Sequence, residues 1–60
     1  MIAKSFQENG TEIIMMKYNT LYNVLRLVKG EQSQIMRNLT YEDADEIYEY
    51  WMDMQLGVDK

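Results

Sequence analysis

The side chains most able to do chemistry in this chain are six carboxylates between Thr40 and Leu56, a stretch with no Lys, Arg or His. They are Glu42, Asp43, Asp45, Glu46, Glu49 and Asp53. Neighbouring carboxylates are what acid–base glycoside hydrolysis and carboxylate metal sites require, and Glu42/Glu46 and Glu46/Glu49 have a suitable spacing. Both pairs fall on the polar face of a predicted helix, where no pocket would shift a pKa. We therefore predict neither an enzyme nor a dedicated metal site.

Other reactive groups are absent from the sequence. The chain has no Cys and no His, which excludes disulfides, ordinary zinc sites and the usual activated Ser or Cys nucleophiles. Its three glycines are isolated, so there is no Gly-rich phosphate loop. The segment Asp43-Ala44-Asp45-Glu46 lacks the glycine and the alternate ligand spacing of a calcium loop. No cofactor is expected.

The element that must position the carboxylates is a C-terminal amphipathic helix at about 41–56. Thr40 suits the N-cap, Asp43 follows it at the capping-box spacing, and Gly57 stands where a left-handed C-cap belongs. At helical periodicity one face collects the apolar side chains Tyr41, Ala44, Ile47, Tyr48, Trp51, Met52 and Met54. The acids share the other face with Tyr50.

The predicted acidic face has a purely structural interpretation and a functional one. Carboxylates four residues apart, such as Glu42 and Glu46, repel each other by a few tenths of a kcal/mol. The helix dipole offsets this repulsion in the first turn, but Glu49 and Asp53 lie beyond its reach. The structural interpretation is a solvated face that happens to lack Lys. The functional interpretation is an anionic surface for a basic partner protein, formed by Glu42, Asp45, Glu46, Glu49, Tyr50 and Asp53.

Asn9-Gly10 predicts the first hairpin of a sheet, because both residues tolerate the positive φ of a two-residue type I′ turn. Strands at about 2–8 and 11–17 follow. The predicted partners are Phe6 with Ile13, Lys4 with Met15, Ser5 with Ile14 and Ala3 with Met16.

Lys29-Gly30 predicts a second hairpin, although Lys disfavours positive φ. We therefore expect a three-residue loop, 29–31, between strands at about 21–28 and 33–38. This loop would set Leu25 opposite Ile35 and Leu21 opposite Leu39. A helix over 20–28 is the competing interpretation, weakened by its short length and by a central Asn.

These elements predict an α+β fold: a four-stranded antiparallel meander of two hairpins, followed by one helix packed on one sheet face. The face away from the helix is expected to be partly apolar, and its candidate dimer contacts are Tyr22, Val24, Val28 and Met36. A 60-residue chain buries only about 60% of its unfolded surface, so its core is marginal. Because disulfides and metals are excluded, we expect a homodimer or a bound partner to supply further stability.

Charge is unevenly distributed over the chain, whose net charge is −4. Residues 1–37 carry five basic and three acidic side chains, and residues 38–60 carry one basic and seven acidic side chains. The two parts therefore have formal charges of +2 and −6. Direct nucleic-acid binding is not expected of such a chain, because neutralised phosphates supply most of that affinity.

The sequence predicts no membrane contact and a cytoplasmic location. No apolar run approaches the ~20 residues of a membrane span, and residues 1–10 lack the apolar centre of a signal peptide. The absence of cysteine fits a reducing compartment.

In overall character the chain resembles small acidic accessory proteins of phages and mobile elements. It is short, rich in Tyr, Asn, Asp and Glu, free of Cys, and predicted to form one hairpin sheet and one helix. The resemblance implies a protein that binds and alters a host protein.

Three functions are consistent with these features. The first is a non-enzymatic binding protein that acts as an inhibitor, whose acidic helix mimics nucleic acid in a basic groove of a host protein. The second is a homodimeric structural or assembly protein that uses its sheet face. The third is a small transcriptional regulator that uses Arg26 and Arg37 in the basic part of the chain.

Overall fold

The computed structural model describes residues 1–57 and confirms the α+β fold. Its elements are β1 (Ile2–Glu8), β2 (Thr11–Tyr18), β3 (Leu21–Val28), β4 (Glu31–Leu39) and α1 (Tyr41–Leu56). The strands form one antiparallel sheet in the order β1-β2-β3-β4, and α1 packs on one face of it. Asp59 and Lys60, which enter the charge count, lie outside the described residues.

The two hairpins have turns of the same kind. Asn9 and Gly10 have φ values of 52° and 81°, and Lys29 and Gly30 have φ values of 54° and 84°. The predicted three-residue loop at 29–31 was therefore wrong, because Lys29 accepts the left-handed conformation that its side chain disfavours. As a result β4 begins at Glu31, two residues before its predicted start.

The predicted register is confirmed in the middle of each hairpin and shifted at the ends. Phe6 pairs with Ile13, and a second predicted pair, Leu25 with Ile35, also forms. Bulges change the outer pairs, since an extra residue on one strand moves every later partner by one. Ile2 rather than Ala3 pairs with Met16, and Tyr22 rather than Leu21 pairs with Leu39.

The alternative helix over 20–28 was wrong because β3 is a central strand. It pairs with β2 along its whole length and with β4 from Tyr22 to Val28, interrupted by two bulges. Long-range pairing on two sides outweighs the weak helical spacing of its apolar residues.

The core lies between the sheet and α1. Its buried members are Ile13, Met15, Val24, Ala44 and Tyr48. Partly buried side chains surround them: Phe6, Tyr22, Leu39, Ile47, Trp51 and Met52. Tyr48 and Trp51, two aromatic residues of the predicted apolar face, therefore pack on the sheet, which leaves the acidic side of α1 outward.

The opposite side of the sheet carries no element of the described chain, and we call it the open sheet face. Side chains alternate along a strand, so residues adjacent to the buried ones project to this side. Its apolar members include Ile14, Met16, Leu25, Leu27 and Ile35, and Ile2 and Leu21 lie on the same side near the strand ends.

Candidate functional site

Helix α1 is fixed at both ends by the predicted caps. The Thr40 hydroxyl accepts a hydrogen bond from the Asp43 backbone N–H at 3.2 Å. Gly57 adopts the left-handed conformation, with φ of 74°, and its N–H donates to carbonyls of the last turn. The buried side chains of Ala44 and Tyr48 set the rotation of the helix about its axis. These contacts fix which residues of α1 face solvent.

Four carboxylates form a single line along the outer side of α1, which we call the acidic stripe: Glu42, Glu46, Glu49 and Asp53. Their spacing of four, three and four residues keeps them within an arc of about 60° and extends over roughly 16 Å. The arc lies opposite the buried Ala44 and Tyr48. Among residues 1–57, no Lys or Arg lies within ion-pair distance of a stripe carboxylate. The stripe is therefore a continuous anionic ridge.

Asp45, also predicted as a binding residue, has a partner within the chain. Its carboxylate forms an ion pair and hydrogen bond with the Lys4 ammonium group of β1. The ammonium nitrogen also lies 5.2 Å from the centre of the Tyr48 ring, within cation–π range. The hydrogen bond to Asp45 holds the pKa of Lys4 above its ordinary value of 10.5. Asp45 therefore joins α1 to β1 and contributes less free charge than the stripe does.

Tyr50 lies on the other flank of the stripe, beside a groove between α1 and β4 that we call the helix–β4 groove. Its upper part is lined by Gln34, Met36, Glu46, Ile47, Tyr50 and Trp51. Its lower part is lined by Arg26, Gln34, Tyr50, Trp51, Met54 and Gln55. Tyr50 is 63% exposed, so its ring can change position to admit another side chain. Apolar and aromatic groups thus adjoin the acidic stripe directly.

The four predicted dimer contacts lie on the side of the sheet that α1 covers, and the predicted face was wrong. Val24 is fully buried in the core. Tyr22 packs edge-to-face on Tyr41 of the helix, with ring centroids 5.4 Å apart. Met36 pairs with Val24 and lines the helix–β4 groove, and Val28 alternates onto the same side. The error arose because β3 is apolar on both sides, so its own pattern does not indicate which side is covered.

Arg26 and Arg37, the residues predicted for DNA binding, do not form one basic patch. Arg26 lies on the covered side, where its guanidinium donates a hydrogen bond to the Gln34 side-chain oxygen at 3.1 Å. Arg37 follows Met36 along β4 and projects to the open sheet face. The two cations therefore point to opposite sides of the sheet and cannot contact one phosphate backbone together.

Two features of the surface were not predicted from the sequence: the Lys4–Asp45 pair and the residues of the open sheet face. The first joins residues 41 positions apart, and no local pattern indicates such a pair. The second had a usable signal, since the predicted register already set Ser5 beside Ile14 and Leu25 beside Ile35. Only the choice of covered side was lacking.

The described residues supply little for cofactor chemistry. Residues 1–57 contain no group of three or more Asp or Glu side chains arranged to hold a metal ion. The stripe carboxylates follow a convex helix surface instead of converging on a point. In the same part of the chain, no helix combines the length and hydrophobicity of a membrane span.

Comparison of the chain with protein-family models, with curated proteins and with solved structures finds no match. Function must therefore be inferred from the surfaces described above.

Proposed function

We propose that this protein is a non-enzymatic protein-binding module that presents the acidic stripe and the helix–β4 groove to a basic partner protein. The observation that carries the proposal is the line of four carboxylates without a Lys or Arg partner in residues 1–57, directly beside an apolar groove. A surface that served solubility alone would gain nothing from confining one sign of charge to one line.

The stripe defines the chemistry of the partner. Its charges recur about once per helical turn, so they match Lys or Arg side chains spaced at a similar interval on the partner's surface. Exposed charges of this kind accelerate encounter and select the partner more than they add affinity. Binding driven by them weakens as salt concentration rises.

The groove supplies the apolar contact that a stripe of exposed charges lacks. Tyr50 and Trp51 offer aromatic surface, and Met36 offers an adaptable thioether. Aromatic residues of this kind commonly dominate the energy of protein interfaces. A partner with one large apolar side chain beside its basic residues would therefore fit both features.

A narrower form of the proposal is that the stripe imitates nucleic acid in a basic groove of a host protein, in keeping with the resemblance of the chain to accessory proteins of phages and mobile elements. Four charges over roughly 16 Å give about one charge per 5 Å, whereas duplex DNA carries one per ~1.7 Å of its axis. The stripe thus imitates only a sparse single line of phosphates. The general proposal, that the stripe binds a basic partner protein, does not depend on this mimicry. The narrower form also assumes a cytoplasmic location, because the protein would meet such a host protein there.

The test is capture of partners from the native host with tagged wild-type protein and two charge-reversed variants. Glu49→Lys changes the stripe, and Glu31→Lys makes the same charge change at the first residue of β4. We expect a partner that wild type and Glu31→Lys retain, that Glu49→Lys loses, and that elutes as salt rises. Addition of duplex DNA should release that partner if the narrower form holds.

The two variants separate a stripe contact from general electrostatic attraction. Equal loss of the partner by Glu31→Lys and Glu49→Lys would mean that net charge alone matters. Equal retention by both would exclude the stripe as the binding surface. Either result would overturn the proposal.

A further inference from the structure

We infer that the open sheet face is the contact surface for a second copy of this chain. The two copies would pack sheet against sheet, with a helix on each outer side. This inference concerns the side of the molecule opposite to the acidic stripe and does not depend on the proposed partner.

The apolar side chains of the open sheet face form a continuous row across the strands. Ile14 pairs with Leu25, and Leu25 pairs with Ile35, so one level of β2, β3 and β4 is wholly apolar. Met16 and Leu27 extend this row on either side along their strands. Stacked sheets bury such rows against each other at a separation of about 10 Å.

The dimensions of the molecule suit a partner of its own size and shape. It measures 31 × 27 × 16 Å, so it is a flat two-layer object with one broad side uncovered. A standard interface buries ~800 Å² on each partner, which is about what a side of these dimensions can offer.

Charge on the open sheet face favours a second copy over an unrelated partner. Glu12 lies level with Leu27 at one end of the face, and Arg37 lies beyond Ile35 at the other end. A two-fold axis across the strands turns one copy end for end, which brings Glu12 of each copy to the same end as Arg37 of the other, two strands or about 10 Å apart. The same face thus supplies both halves of a complementary pair.

The acidic side of the molecule does not oppose this association. In a sheet-to-sheet dimer both acidic stripes lie on the outer surfaces, separated by two molecular thicknesses of 16 Å each. That separation exceeds the Debye length of about 8–10 Å at physiological salt, so repulsion between the stripes is screened. The dimer therefore joins apolar sides and keeps like charges apart.

The experiment is sedimentation equilibrium of the full 60-residue chain at tens of micromolar, with matched Lys substitutions. We expect wild type at twice its 7.2 kDa mass, and Leu25→Lys at the mass of one chain. Met54→Lys, an exposed apolar residue of α1, should keep the mass of wild type. Circular dichroism of each variant would confirm that the sheet and helix are intact.

Charge reversal provides a second test that does not require loss of an apolar residue. Glu12→Arg and Arg37→Glu should each weaken the dimer severalfold, because the charges attract across about 10 Å, and the combined variant should recover most of that loss. A wild-type monomer, or a dimer that Leu25→Lys leaves intact, would overturn the inference. Failure of the combined variant to recover would overturn the end-for-end arrangement.

Discussion

Lys4 is the residue that joins the most features of this molecule. It pairs with Asp45 across the edge of the core and lies over the ring of Tyr48. About a third of each charged side chain is exposed, so the pair adds no more than the ~0.2–1 kcal/mol typical of surface ion pairs. The contact links α1 to the edge strand β1, beside the buried Tyr48 that sets the rotation of the helix.

Two raised pKa values predict loss of stability at high pH. Burial raises the pKa of Tyr48 above 10.0, and the hydrogen bond to Asp45 raises that of Lys4 above 10.5. A group with a raised folded pKa contributes stability that is complete below its unfolded pKa and is lost as pH rises through its folded pKa. We therefore expect the free energy of unfolding to fall as pH rises above about 10.

Tyr48→Phe isolates one of these groups, because it keeps the aromatic ring beneath Lys4 and removes only the titrating hydroxyl. Urea denaturation of wild type and variant at about pH 8 and about pH 11 would measure the difference. The variant should lose less stability than wild type over that interval. Equal losses would show that Tyr48 ionisation does not contribute.

Val24 and Met36 test the side of the sheet that α1 covers. They are paired neighbours on one face, but Val24 is fully buried and Met36 is 43% exposed. Val24→Ala should cost about 2 kcal/mol, from lost apolar burial and the cavity that remains. Met36→Ala should cost less than half as much in the same urea denaturation series. A smaller cost at Val24 than at Met36 would contradict the described core.

At the scale of elements, local signals in the sequence predict which strands and helices form, and long-range packing decides how they are arranged. Helix α1 was predictable to the residue because Thr40 and Gly57 specify its two ends. The hairpin centres were predictable from the turn at Asn9. The bulges had no local signal, and the covered side of β3 was not predictable because it depends on packing against α1, which no short segment of sequence encodes.

The β3–β4 turn carries a residue that is not suited to its conformation. Lys29 has a φ of 54° at a position where Asn is the preferred residue, as Asn9 is in the first hairpin. Lys29→Asn should therefore stabilise the protein by several tenths of a kcal/mol, which raises the midpoint of thermal unfolding by about 2–5 °C. Calorimetry would measure it. Lys17→Asn, within β2, provides the control and should lower the midpoint.

At the scale of the whole molecule, the protein is a thin plate with two different sides. One side carries α1, with the acidic stripe and the helix–β4 groove. The other side is the open sheet face, where apolar residues from three strands meet. The small core between them leaves both sides available for contact, and a dimer through one side would display two acidic stripes for partners. Two stripes on one particle would bind a repeated or two-fold partner more tightly than a single stripe does.

The central claim is that the acidic stripe is a binding surface. It can be tested directly once a partner has been captured. Titration calorimetry of that partner would compare wild type with Glu46→Lys/Glu49→Lys in the stripe and Glu8→Lys/Glu31→Lys outside both the stripe and the open sheet face, two double variants with the same change in net charge. We predict that the stripe variant loses about a hundredfold in affinity and the control variant less than about tenfold. Equal affinities for the two variants would contradict the account.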